Sequence, residues 1–326
     1  MNAPALAAAV SLLLVVSAAP ALSLVAPANA AEKKVPAAVV YEAIAATNAT
    51  VWLAEDLKLF DRYGLDMKVI QARGAASVQA LVAGTVEFGT FGGPSAVAAN
   101  LAGADLVFLA AKPNYSVISL WTRKDSPLKT LGDLKGKTLA VSRPGSATHT
   151  AARLALRRGG LTDKDVKFLY HGGLPEMFAS LEQGLADAAF SSPPRPGFRE
   201  IIDLAALKIP YLQGAVEVQR GLLQTRRPLV VNFMKAFLES LKAAKDKPEL
   251  AVAAIAKRMR MQPEEIRAAY APHERVWEAV PYVRADAVQA ILDLTPGEKN
   301  PERFIDNGVL KELEDAGFVR ELYNRR

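Results

Sequence analysis

Residues 65–110 read LDMKVIQARGAASVQALVAGTVEFGTFGGPSAVAANLAGADLVFLA, and this stretch decides the fold class. Leu65 to Ile70 has the apolar content of a strand, residues 71–76 are a loop of small residues around Arg73 and Gly74, and Ser77 opens a short predicted helix that stops at Gly84. The cycle then repeats. Val86 to Gly89 reads as a strand, Thr90-Phe-Gly-Gly93 as a loop, and Pro94 as the first turn of a helix stopping at Gly103. Proline is tolerated there because the N–H it lacks would have no intrahelical partner. Leu106 to Ala110 is the next strand. Strands alternating with single helices through tight glycine-rich joints predict a parallel α/β sheet.

The same rhythm extends in both directions. Upstream, Ala38 to Ile44 reads as a buried strand and residues 45–50 as a loop. Val51 to Tyr63 follows as an amphipathic helix with Leu53, Leu57 and Phe60 on one face and Gly64 as its stop. Downstream, strands are predicted over 116–122, 138–142, 166–170 and 186–190, with helices from Ser146 to Arg158 and from Pro175 to Gln183. From Thr225 onward the pattern is mainly helical, near 228–246, 248–260, 263–271, 285–294 and 309–323. The chain thus reads as two α/β units and a helical tail: a first unit over 36–112, a second over 115–212, and a return over 213–326.

Composition narrows the function. The 326 residues are 51% apolar and 23% charged, which is ordinary for a globular chain and excludes disorder, collagen and coiled coil. A formal charge of +6 without a basic run, and 7% aromatic residues, argue against nucleic acid as a partner. There is no cysteine, so disulfides, thiolate metal sites and a cysteine nucleophile are excluded. His149, His171 and His273 are too far apart in sequence to form a close ligand pair, so no metal or cofactor is expected.

Residues 1–30 carry no charged side chain and end in Ala28-Asn29-Ala30, a small-x-small cleavage pattern. They are read as a signal peptide cleaved after Ala30, which places the mature chain in the periplasm. The amino end lacks the usual Lys or Arg, so either the start codon is placed too late or the terminal amine supplies the only positive charge.

Ligands of open parallel sheets sit at the carboxyl ends of the strands. Four loops here lead into helix N-termini: Thr47-Asn48-Ala49-Thr50, Gly74-Ala75-Ala76-Ser77, Gly92-Gly93-Pro94-Ser95 and Arg143-Pro144-Gly145-Ser146. Glycine admits a ligand close to the backbone, and first-turn N–H groups attract anions. Ser77, Ser95 and Ser146 can equally serve as helix caps. Arg73 and Arg143 stand at strand ends where an anion would meet them, and His171 precedes Gly172-Gly173 at another. Residues 115–212 hold fourteen Lys and Arg against nine acids, a balance that suits an anion-attracting unit. Neither G-x-G-x-x-G nor G-x-S-x-G occurs. No pair of loop carboxylates offers acid/base work either, so no catalytic residue is assigned. Asp187 and Glu87 fall inside predicted strands, and Trp52 is expected to pack in the core.

Five phrases carry a resemblance. Trp52 to Met67, Leu81-Val-Ala-Gly-Thr-Val-Glu-Phe-Gly89 and Ala102-Gly-Ala-Asp-Leu-Val107 resemble the first lobe of ABC-importer periplasmic substrate-binding proteins. The nearest group is the one for nitrate, taurine, aliphatic sulfonates and thiamine-pyrimidine precursors. Lys124 to Thr138 is similar to that family's entry into its second lobe, and Leu181 to Ala188 to its repeat of the helix–Gly–strand phrase. The likeness covers about residues 36–205.

The resemblance implies a two-lobed, type II periplasmic binding protein. Each lobe would be a mostly parallel sheet flanked by helices, closing by a hinge on a small solute. It further implies a monomer that docks on an importer's permease with its ATPase, and no catalytic activity. Carried residue by residue, the ligand loops are Ala46-Thr47-Asn48, Gly74-Ala75, Gly92-Gly93-Pro94, Ser142-Arg143-Ser146 and Ser192-Pro193. Sulfonate-type members often have an aromatic residue and an acid before the last proline, where this chain has Ser191-Ser192-Pro193. Aromatic carboxylates, pyrimidines and nitrate-like anions therefore stay open beside sulfonates. Arg143 is the expected charged partner, because a guanidinium grips a carboxylate or sulfonate with two parallel hydrogen bonds. The alternatives are a small-acid lyase or decarboxylase on the same fold, for which His171 or Asp187 would be the acid/base group, and a ligand-sensing protein.

Overall fold

A computed structural model describes residues 33–42, 44–191 and 197–324. The export signal with its Ala30 cleavage site, and the expected ligand residues Ser192 and Pro193, lie outside the described residues. Residues from Lys34 onward form one compact unit.

Ten strands make two five-stranded sheets. In chain order they are β1 (Val35–Tyr41), β2 (Leu65–Gln71), β3 (Phe88–Thr90), β4 (Leu106–Ala111), β5 (Ser119–Arg123), β6 (Thr138–Val141), β7 (Lys167–Tyr170), β8 (Ala188–Ser191), β9 (Phe198–Asp203) and β10 (Ala215–Gln219). The first sheet runs β2-β1-β3-β10-β4 and the second β7-β6-β8-β5-β9. The β2-β1-β3 and β7-β6-β8 triplets are parallel, as the repeating strand–helix pattern predicts. β10 and β5 pair antiparallel with both neighbours, so each sheet is mixed rather than purely parallel. β9 and β10 had no signal in the repeat, because their partners are distant in sequence.

Local departures have physical causes. Residues 46–48 form a 3-10 turn and the next helix starts at Ala49, within the segment read as loop. The expected helix over 51–63 is two pieces, Ala49–Asp56 and Leu59–Arg62, broken by Lys58 in the left-handed region at φ 55°. Of the three loop serines, only Ser146 caps a helix, accepting from the His149 N–H. Ser77 instead donates back to the Gly74 carbonyl at 2.8 Å. Ser95 lies in the first turn of Gly93–Leu101, which has no side-chain cap.

The helical tail braces the first sheet. The helix Arg227–Asp246 buries Leu229, Phe233, Met234, Phe237 and Leu241, spaced to share one face. Phe233 stacks on Phe88 of β3 with ring centroids 3.9 Å apart.

The chain crosses between the sheets twice, and the two crossings are hydrogen-bonded to each other. Lys112 N–H donates to the Gly214 carbonyl at 2.7 Å, Ser116 N–H to Ile209 at 3.2 Å, and Tyr211 N–H to Asn114 at 2.9 Å. Asn114 also donates to the Tyr282 carbonyl at 2.7 Å and accepts from the Arg284 N–H, so the tail clamps the double crossing. Paired crossings of this kind suit a hinge, where few backbone torsions absorb the motion.

Candidate functional site

The parallel strands of both sheets deliver their carboxyl-end loops to one cavity of about 1050 Å³. From the first sheet its wall receives Thr47 and Asn48 after β1, Gly74 and Ala75 after β2, and Gly92 and Pro94 after β3. From the second it receives Ser142, Arg143 and Ser146 after β6. Nine of the expected ligand residues are thereby brought together. Three others, Ala46, Gly93 and His171, are not on the wall. Gly93 packs against the returning crossing, where a Cβ would sit 2.4 Å from the Leu212 carbonyl oxygen. His171 follows β7 with its N–H bonded to the Val141 and Ser142 carbonyls, away from the cavity lining. His149 is a packing residue: its ring meets Phe168 edge-on at 4.7 Å, and its Nδ1 accepts from the Gly145 N–H.

Hydroxyls on the second lobe's side are largely spent on each other. Ser142 Oγ donates to Ser146 Oγ at 2.9 Å, and the Ser142 N–H donates to Thr148 Oγ1 at 2.9 Å. The cluster fixes the loop that presents Arg143. That guanidinium reaches across the cleft to Glu42, just past β1, at 3.1 Å. Its side chain is 58% exposed, so this pair lies at the cleft mouth in contact with water.

The interior corner is different in kind. Lys112 leaves β4 into the first crossing, lines the cavity and is only 1% exposed. Its Nζ donates to Asn48 Oδ1 at 2.7 Å. Glu217 on β10 is fully buried behind it and accepts from the Phe91 N–H at 3.2 Å through Oε2, while Oε1 has no hydrogen-bond partner among the described residues. Burial pulls Lys112 down to about 8 against the opposing pull of Glu217. Burial likewise raises Glu217 well above the usual carboxylate range, with Lys112 acting the other way. Loop signatures at helix starts did not reveal Glu42, Lys112 or Gln213, all on the wall. The available signal was a lysine closing an all-apolar strand, Leu106 to Ala111, and an acid within Ala215-Val-Glu-Val.

The remaining wall is apolar. Val78 and Val82 from the helix Ala75–Val82, Phe91, and Ala98, Ala99 and Ala102 at the next helix form a greasy flank. Among the described residues, no group of three or more His, Cys, Asp or Glu is placed to hold a metal ion. Asp187 serves the sheet, accepting from the Thr138 N–H at 2.8 Å, as Glu87 does from Ala38 in the first lobe.

Comparison with known proteins places this geometry. The model of the family described as NMT1/THI5 like matches residues 46–251. The chain belongs to the NMT1/THI5-like family. A protein of Escherichia coli (strain K12) named for aliphatic sulfonate binding is 35% identical over 118 residues, which is 35% of this chain and 36% of that relative. The NMT1/THI5-like chain therefore matches about a third of the length of this curated relative. Among solved structures, the periplasmic aliphatic sulphonate binding protein SsuA from Escherichia coli shares the fold at a TM-score of 0.70 and 22% identity, over 83% of this chain and 92% of its own. The desulfurization enzyme DszB shares it at a TM-score of 0.62 and 18% identity, over 86% and 99%. Both likenesses establish the two-lobed fold, and one of them shows that the fold also carries enzymes.

Proposed function

We propose that this protein captures a small organic solute outside the cytoplasm and delivers it to the permease and ATPase of an ABC importer. The observation that carries the reading is the cavity itself: carboxyl-end loops of two separate sheets face one another across a double crossing. The named relative and the SsuA likeness support it. Among the described residues no helix is long and apolar enough to cross a membrane. The expected periplasmic location and monomeric state belong to the same proposal.

Size and lining favour an organic anion over nitrate. A cavity of about 1050 Å³ with a flank of valines, alanines and Phe91 would leave a four-atom anion without contacts on most sides. A sulfonate or carboxylate carrying an apolar body fills both halves. The enzyme alternative has less support. Asp187 is engaged by the Thr138 N–H, and His171 is not on the cavity wall, so the two groups suggested for acid/base work do not meet a bound solute.

Within this reading Arg143 is a rim residue. Glu42 already compensates its charge, and exposed ion pairs contribute only about 0.2–1 kcal/mol. Arg143→Ala is expected to weaken binding of an organic anion by about fivefold or less, measured by calorimetric titration. A loss above a hundredfold would instead make Arg143 the solute's main charged partner. The function as a whole is tested by thermal shift against alkanesulfonates, aromatic sulfonates, aromatic carboxylates, nitrate and aminopyrimidines. A specific ligand at a hundred times its Kd adds about 2.7 kcal/mol, or a rise of roughly 5–10 °C. Stabilisation by an organic anion supports the proposal. Response to nitrate or a neutral pyrimidine alone would contradict the ligand class.

A further inference from the structure

We infer that Lys112, at the interior corner of the cleft, is the cation that grips the solute's anionic group, and that the solute is an amphipathic organic anion. This deepens the solute-capture reading above and rests on it.

A charge taken out of water must be compensated by the protein or by something that binds. Lys112 is 1% exposed, yet its ammonium has only a neutral oxygen, Asn48 Oδ1, as a hydrogen-bond acceptor among the described residues. An ammonium carries three donors, so two remain for an incoming oxyanion. Glu217 acts on it through space, while its own Oε2 is committed to the Phe91 N–H. The environment around Glu217 favours a proton on that carboxyl. Among the described residues the hydrogen bond that Lys112 Nζ makes goes to a neutral oxygen, so a bound sulfonate or carboxylate would be the first anion bonded directly to it.

Position strengthens the assignment. Lys112 belongs to the first crossing, and its N–H binds Gly214 of the second, so an anion held there touches the hinge itself. Thr90, Asn48 and Gln213 line the same corner and supply further polar atoms. On the far side, Val78, Val82 and Ala98 offer an apolar flank for the body of the molecule. Arg143 cannot play this role equally, being water-exposed and paired with Glu42. Buried, water-free cations discriminate charge far more strongly than exposed ones.

The test uses the full mature chain and two matched probe pairs: p-toluenesulfonate with p-toluenesulfonamide, and benzoate with benzamide. Calorimetry on the wild type should show the anion of at least one pair binding ~30-fold or more tighter than its neutral partner. Lys112→Met should cost that anion a similar factor and leave the neutral probe within threefold. Lys112→Arg should restore part of the loss, which a merely structural lysine would not produce. The charged groups facing this corner are Glu217 from β10, Glu42 past β1 and Arg143 across the cleft. Because the anion needs Lys112 protonated, affinity should fall between pH 7 and 9, around the value near 8 that burial gives this lysine. In Lys112→Met this fall should vanish. Circular dichroism separates misfolding from lost binding, with Lys112→Gln as the second variant. Undiminished anion binding by folded Lys112→Met, or equal binding of anion and amide by the wild type, overturns the inference and leaves solute capture standing. Failure of every probe in the wild type, together with a silent thermal-shift panel, overturns the capture reading and this inference with it.

Discussion

Gly93→Ala is expected to lower the melting temperature by roughly 6–12 °C and to weaken solute capture. A Cβ at this position would lie 2.4 Å from the Leu212 carbonyl oxygen, 2.9 Å from Ile291 Cδ1 and 3.3 Å from Leu212 Cβ. The nearest obstacle is backbone, so no side-chain rotation relieves it. The cost is that of overpacking at the upper end of its range, about 3 kcal/mol. The strain falls where it matters for function. Gly93 begins the helix whose first turn, with Pro94, forms part of the cavity wall, and Leu212 lies in the returning crossing, bonded to Ala287. Moving them apart opens the joint between cleft and hinge. Thermal denaturation followed by titration of the identified ligand checks both effects. An unchanged melting temperature would mean that the helix and the crossing are not held in this register.

The second large effect is expected from Trp52→Ala, a loss of about 3–5 kcal/mol read as a fall of roughly 6–20 °C. The indole is fully buried, meets Tyr41 edge-on with centroids 5.5 Å apart, and lies under the Arg258 guanidinium at 5.3 Å. Arg258 in turn pairs with Glu55 and Asp56, tying the helix Ala49–Asp56 to the tail helix Pro248–Met259. Trp52 shares a buried cluster with residues of four helices, Ala49–Asp56, Arg227–Asp246, Pro248–Met259 and Pro263–Glu274, and emptying its site leaves a cavity that this rigid junction cannot close. Thr47 and Asn48 immediately precede this helix, so a smaller loss of ligand affinity should accompany the loss of stability. Trp52→Phe keeps most of the volume and should recover most of both. Chemical denaturation of the pair measures the difference, and equal stability of Trp52→Ala and the wild type would contradict the packing.

How much of this was legible in sequence depends on the range of the interactions. The strand–Gly–helix phrases over 38–89 and 138–190 identified the parallel triplets because a strand's apolar run and a helix's glycine stop are local signals. The same phrases placed Thr47, Gly74, Gly92 and Ser142 at strand ends, and these residues do share a cavity wall. The helix Ala49–Asp56 escaped detection at its start because Ala49 to Ala54 is buried all round, leaving no polar face to mark a helical period. β10 escaped because it is inserted between β3 and β4 from more than a hundred residues away. With β10 came Glu217, and with the crossings Lys112 and Gln213. These residues come close to one another only through tertiary pairing, and a search of helix N-termini could not reach them. Arg143 stood out for the opposite reason, being conspicuous in a loop, and the fold gives it Glu42 as an immediate partner.

The central claim is that one organic solute binds between the lobes, against both the polar corner and the apolar flank. It is tested most directly by calorimetric titration of the ligand identified by thermal shift, at several temperatures, into the wild type and into Ala98→Trp. Ala98 is exposed on the cavity wall, so an indole there fills the space without disturbing the core. The account predicts one solute per chain with a negative heat-capacity change in the wild type, and no measurable binding in a stably folded Ala98→Trp. Equal affinity and stoichiometry in the two proteins would place the solute elsewhere and contradict it.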